Sequence, residues 1–220
     1  LKIKSFGCSF IFGSELSDIR TRQDLQPSAL TWPALIAQQR GWQYECYAYP
    51  GRGNLYIADR VLEQVSQARK GDVFVINWTW VDRFDYFAAQ DDSWSSILPR
   101  DQGKVQDVYH RHLHSQKRDK LVSLMYIMTA IQALRQRKLP FVMTYMDHIL
   151  AETRWHTDAA IQALQQQVLP CLRDFQGENF LEWSRRHQFA VSDLWHPLEQ
   201  AHAAAATLMM PSIDATLRRA

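Results

Sequence analysis

The stretch "SFGCSFIFGSEL", residues 5–16, carries the end of a short apolar run straight into a small hydroxyl, Ser9, with Gly7 before it and Gly13 after it. Residues 2–7 read as a β-strand bounded by turn chemistry. Three meanings then compete for Ser9. It caps a turn or a helix, it belongs to a loop that cradles phosphate, or it is a nucleophile set at the top of a sheet. The remaining sequence has to choose among them.

Working outward, "WQYECYAY" (42–49), "DVFVIN" (72–77) and "PFVMTYM" (140–146) repeat the short β-rich pattern. Helical patterns separate them. Thr31 caps a helix with Pro33 in its first turn, running to about residue 39 and closed by Gly41. "NLYIADRVLEQVSQARKG" (54–71) sets Leu55, Ala58, Val61, Leu62 and Val65 on one stripe, with Gly71 as the stop. "KLVSLMYIMTAIQALRQRK" (120–138) does the same through Leu121, Leu124, Met125, Met128, Ile131 and Leu134. A further helix is expected over about 157–176, bent or ended near Pro170, and a late one over 197–210. Alternation of this kind predicts a parallel sheet covered by helices on both faces. With 220 residues and no repeat or linker, one domain over 1–220 is the expectation. The one long irregular segment, residues 79–116, is rich in Trp, Asp and His, and long loops of that kind tend to carry function.

Bulk composition narrows the classes. Hydrophobic residues make up 46% and charged residues 22%, with a formal charge of +2, so nothing favours capture of nucleic acid or of an anionic membrane. No apolar run has the length of a membrane helix. The basic, then apolar start "LKIKSFGCSF" is too short and too broken to read as a secretion signal, and without an initial Met it leaves room for an upstream segment. Cys8, Cys46 and Cys171 are too widely spaced for a disulfide framework or a zinc knuckle, which favours a reducing, cytoplasmic setting.

In open α/β sheets, ligands bind at the carboxyl ends of the strands. Ser9 follows the first strand. Gly51, Gly53 and Asn54 of "YPGRGN" follow the second, and Asn77, Trp78 and Thr79 follow the third. Asp193 and His196 of "SDLWHP" precede the last helix. A serine hydroxyl needs a base within hydrogen-bond reach, which His196 can supply. Asp193, three residues earlier, is placed to turn back onto the other imidazole nitrogen. The Ser9 and Gly51 N–H groups are candidates for holding an oxyanion.

The blocks "FGCSFIFG", "YPGRGN", "VINWTW" and "SDLWHP" resemble the SGNH, or GDSL-type, hydrolase superfamily, in order along nearly the whole chain. The resemblance implies a flavodoxin-like three-layer α/β/α sandwich with a central parallel sheet, and hydrolysis of esters or related acyl groups without a cofactor or a metal. It implies Ser9 as nucleophile, Gly51 as an oxyanion donor, and Asp193 with His196 as the rest of the triad. The third block departs from the family pattern, since "NWTWVD" stands where a Gly-x-Asn-Asp context is usual. Asn77, Thr79 and Asn54 all remain candidates for the side-chain donor. Cys8 stands where the family commonly has Asp.

Other residues have competing readings. Cys8 is an alternative nucleophile, since thiolates attack well, but strand alternation points it away from Ser9. "HRHLH" (110–114) invites a metal, yet its histidines share a face only in an extended strand, so a solvated loop is expected. Trp78, Trp80, Trp94 and Phe84 are candidates to line a substrate groove, and Arg83 either orients substrate or pairs with Asp82. The expected function is a serine esterase acting on a small-molecule or carbohydrate ester, with an O-acetylated sugar as the first substrate to try. Two alternatives keep the same fold. One is a binding module with an impaired oxyanion hole, and the other is an O-acyltransferase using the same triad.

Overall fold

A computed structural model describes residues 1–19, 26–154 and 156–218. The strands are β1 (Lys2–Phe6), β2 (Gln43–Cys46), β3 (Asp72–Trp78), β4 (Phe84–Ala88), β5 (Ser93–Ile97), β6 (Phe141–Tyr145) and β7 (Leu172–Arg173). Five of them form a parallel sheet in the order β2-β1-β3-β6-β7, while β4 and β5 pair as a separate antiparallel hairpin. The helices are α1 (Ser9–Phe12), α2 (Trp32–Arg40), α3 (Asn54–Ser66), α4 (Lys104–Val108), α5 (Gln116–Gln136), α6 (His148–Ala151), α7 (Ala159–Val168), α8 (Phe180–Arg186) and α9 (Glu199–Leu217).

Alternation along the central strands divides the core into two layers. In β3, Val73 and Val75 face α2, α8 and α9, while Phe74 and Ile76 face α3, α5 and α7. All seven β3 residues are buried, as a strand covered on both faces requires. Each such Val, Ile or Phe contributes on the order of 1.5–3 kcal/mol by leaving water. One buried ion pair breaks the apolar pattern. Lys4 of β1 reaches Asp72 of β3 at 3.2 Å and also donates to Gln64 Oε1 at 3.0 Å.

The sheet places the site through its winding. From β1 the chain moves outward to β2, then returns to β3 on the other side of β1. The carboxyl ends of β1, β2 and β3 therefore surround a switch point.

Several expectations need correction. The cap reading of Ser9 shifts by one residue: Cys8 is the N-cap and Ser9 opens the one-turn helix α1. The helix expected over about 157–176, bent or ended near Pro170, does end there, at Val168; the unexpected part is that after a 3₁₀ turn at Leu169–Cys171 the chain pairs with β6 as β7. Pro170 lacks the N–H to continue the helix, and Leu172 enters the core instead. α3 ends at Ser66, short of Gly71, and the late helix runs on to Leu217 with Pro211 inside it. Leu62 and Met125, assigned to buried stripes, are exposed. Residues 79–116 are not irregular, for they contain the β4–β5 hairpin, α4 and a π-helical turn at Tyr109–Leu113. Among the described residues no helix is long and apolar enough to cross a membrane.

Candidate active site

Local geometry explains how Ser9 is presented. β1 ends at Phe6, and α1 turns back so tightly over Gly7 that a Cβ there would come within 2.8 Å of Ile11 Cγ1. Gly13 closes α1 in the left-handed region at φ 81°, its N–H donating to the Ser9 carbonyl. Ser9 is buried at its base, with only 7% of its surface exposed. Cys8 caps the helix and lies wholly inside the core, which removes it as an accessible nucleophile.

His196 meets Ser9 from the far end of the chain. Its Nε2 lies 2.9 Å from Ser9 Oγ, and its Nδ1 lies 2.6 Å from Glu15 Oε2. The ion-pairing carboxylate at Nδ1 favours the tautomer protonated there, leaving Nε2 to accept from the Ser9 hydroxyl. Glu15 also accepts from the Ser192 hydroxyl, and that same oxygen atom receives the His196 N–H at 3.1 Å. A Ser17 N–H to Glu199 Oε1 contact of 2.7 Å ties the Glu15 loop to the start of α9. The Phe10 ring packs edge-on against His196 at 5.2 Å.

Asp193 does not hold the imidazole. The Trp195 N–H donates to the Ser192 carbonyl at 2.9 Å, closing a four-residue turn with Asp193 and Leu194 at its centre. Central turn residues point outward, and Asp193 is exposed, its carboxylate making no hydrogen bond or ion pair among the described residues. Glu15 occupies the position expected for Asp193. Both Glu15 (φ 69°) and Trp195 (φ 68°) adopt the left-handed backbone region without being glycine. That conformation costs on the order of 1 kcal/mol or more, and here it occurs at His196's partner and at His196's own neighbour.

The oxyanion donors also differ from expectation. Asn54 is a structural latch: its Oδ1 accepts from the Thr79 N–H at 2.9 Å, and its Nδ2 donates to the Thr79 carbonyl and the Ser123 hydroxyl. Both amide hydrogens are thereby used. Asn77 Nδ2 donates across the sheet to Thr144 Oγ1 at 2.8 Å, its partner in the β3–β6 register. Thr79 is fully buried. Asn54 therefore has no amide hydrogen left to donate, and the Asn77 and Thr79 side chains are buried. The Ser9 and Gly51 N–H groups, in contrast, have no acceptor among the described residues. Gly51 sits at φ 77°, where a side chain would strain the backbone, and its surroundings are otherwise open, with Leu98 Cδ1 at 3.9 Å from where a Cβ would lie.

A buried carboxylate that the sequence reading missed holds this loop. Asp85 of β4 accepts from the Gly53 N–H (2.7 Å), the Tyr56 N–H (2.9 Å) and the Ser96 hydroxyl (2.7 Å). Burial pushes its carboxyl up, against the lowering effect of these donors. Trp78 is wholly inside the core and cannot line a groove. Trp80 packs on Phe10 at 5.5 Å with the Arg83 guanidinium 4.8 Å over its ring, so this pair does lie beside the site. Arg83 donates to the Arg52 carbonyl at 3.1 Å. Just past the π-helical turn, His114 pairs with Asp119 at 2.9 Å. No group of three or more His, Cys, Asp or Glu is placed to hold a metal ion among the described residues.

No family model and no curated protein matches the sequence. Solved structures do match its fold. The psychrotrophic esterase EstA from Pseudoalteromonas sp. superposes with a TM-score of 0.56 at 10% identity, covering 99% of this chain and 98% of that one. A lipolytic protein of the G-D-S-L family from Veillonella parvula gives 0.50 at 10% identity, with 96% of each chain covered. An acetyl xylan esterase from Butyrivibrio proteoclasticus gives 0.54 at 12% identity, over 98% of this chain and 64% of that one. The chain thus has the SGNH hydrolase fold: a central five-stranded parallel sheet flanked by helices.

Proposed function

We propose that the protein is a serine-dependent ester hydrolase, a carboxylesterase or carbohydrate O-deacetylase, built on a Ser9–His196–Glu15 relay. The observation that carries this reading is the pair of contacts on one imidazole, 2.9 Å to the Ser9 hydroxyl and 2.6 Å to the Glu15 carboxylate. In the proposed reaction His196 Nε2 takes the proton of Ser9, and Oγ attacks the acyl carbonyl. Glu15 stabilises the imidazolium that forms. The oxyanion is held by the Ser9 and Gly51 N–H groups, each worth roughly 3 kcal/mol in the transition state. His196 then protonates the leaving alcohol, and afterwards activates the water that releases the acyl group. No cofactor or metal enters this sequence of steps.

In this reading residues 1–220 are one SGNH-like unit in which residues 79–116 wall the site. The free thiols Cys8, Cys46 and Cys171 favour a cytoplasmic setting. Initial rates on 4-nitrophenyl esters of graded chain length and on acetylated sugars, for the wild type and Ser9→Ala, test the reading. Turnover that vanishes with Ser9→Ala supports it. Turnover unchanged by that substitution removes Ser9 from the mechanism. The engagement of the Asn54 and Asn77 amides elsewhere, and the burial of Thr79, favour a second reading, a binding module without hydrolysis, and ester binding without turnover in the wild type would select it.

A further inference from the structure

Around the site lie guanidinium groups that form no ion pair among the described residues. Arg52, next to Gly51, lies 4.9 Å from the Tyr49 ring and 5.5 Å from Tyr56. Arg83 covers Trp80, which reaches His196 through Phe10. Trp195, immediately before His196, is 51% exposed. Arg100 lies 5.3 Å from the Trp195 ring and Arg185 5.2 Å from it. Arg100 comes from the segment that passes Leu98 over Gly51, so the hairpin side and the His196 side of the mouth meet at Trp195.

Among the described residues none of these four arginines forms an ion pair. The Nε of Arg52 is buried with no hydrogen-bond partner. The nearby acids are committed elsewhere: Asp85 accepts three donors and Glu15 serves His196 and Ser192. Asp82, beside Arg83, forms no ion pair with it; burial and the charge of Asp147 raise its carboxyl pKa, against the lowering effect of Arg83. Stacking a guanidinium on an aromatic ring fixes its plane while leaving its N–H edges free, which suits a planar carboxylate. Like charges gathered at a cleft also draw in anions.

We propose that this rim recognises a carboxylate on the substrate, so that the esters cleaved at Ser9 are those of acidic molecules. The inference rests on the hydrolase reading for the word ester, but not for the charge preference. A matched pair of probes tests it: 4-acetoxybenzoate, which is anionic, and its neutral methyl ester. The Arg100→Gln/Arg185→Gln double variant is expected to lose about tenfold more kcat/KM on the anion than on the neutral ester, the scale of a charge-assisted hydrogen bond. Arg100→Lys/Arg185→Lys is expected to recover part of that difference, because charge remains and the fork is lost. Raising salt from about 10 mM to about 500 mM should erase much of the preference, as screening requires.

Calorimetric titration of Ser9→Ala with both probes separates the two readings. Tighter binding of the anion, lost when Arg100 and Arg185 are also replaced by Gln, supports the charge preference even where the wild type turns over no ester. Equal binding of the two probes by Ser9→Ala, or an equal loss on both in the double variant, overturns it.

Discussion

Glu15→Gln is the substitution that separates this relay from the one the sequence spacing suggests. The wild-type carboxylate lies 2.6 Å from His196 Nδ1 and is 28% exposed, while the imidazole is 14% exposed. A charge-assisted hydrogen bond in such a half-buried place is worth about 1.5–3 kcal/mol, and it strengthens as the imidazole gains charge in the transition state. That alone amounts to roughly 10- to 150-fold in kcat. A glutamine adds a second effect: its amide can donate to Nδ1, which leaves the proton on Nε2 and turns the base into a donor towards Ser9. Together these should lower kcat by about a hundredfold to a thousandfold while KM changes little. Asp193→Asn, in the outward-facing turn, should cost less than about twofold. Steady-state hydrolysis of 4-nitrophenyl acetate by the two variants, with folding checked by circular dichroism, decides the matter. A larger loss in Asp193→Asn than in Glu15→Gln would refute the reasoning.

Three further outcomes concern the scaffold. His202 is 2% exposed, accepts from the Trp32 N–H through Nδ1 at 3.1 Å, and burial lowers its pKa from 6.5 to about 3. It is neutral in the folded protein and protonates readily when unfolded. Its contribution is therefore complete above pH 6.5 and lost as pH falls towards 3, with about 2 kcal/mol gone by pH 5. Urea midpoints at pH 7.5 and 5 should show that drop, and His202→Gln, which keeps an acceptor, should flatten it. Asp85→Ala leaves the Gly53 and Tyr56 N–H groups and the Ser96 hydroxyl without their acceptor and should cost roughly 3 kcal/mol by denaturant melts, with activity falling because the turn that carries Gly51 loses its anchor at Gly53. Lys4→Met strands the buried Asp72 and should cost about 3–5 kcal/mol, whereas Lys4→Met/Asp72→Leu should recover most of that loss in the same melt.

The β-rich runs at 2–7, 72–77 and 140–146 were legible because strands buried on both faces read as nearly continuous apolar segments. Ser9 and His196 were legible because each follows or precedes an element whose edge the topology dictates. β7 was hidden because a strand of two residues carries no period, and its pairing with β6 depends on where the 3₁₀ turn releases the chain. α8 was hidden by its length of seven residues. Asp193 misled because D-x-x-H spacing is compatible with a return contact, and only the folded chain, with Asp193 exposed in its turn and Glu15 at Nδ1, shows that the contact is not made. Glu15 had one usable signal, a carboxylate two residues beyond the glycine that closes α1. Its reach to His196 depends on a left-handed backbone that a glutamate rarely adopts. Asn54 and Asn77 have the right residue type in the right blocks, but burial commits their amides to Thr79, Ser123 and Thr144.

Intact-protein and peptide mass spectrometry after fluorophosphonate treatment tests the central claim most directly. The account predicts a single adduct on Ser9, absent from Ser9→Ala and formed far more slowly in Glu15→Gln than in Asp193→Asn. Wild-type protein that takes up no label, or that carries it on any residue other than Ser9, would contradict it.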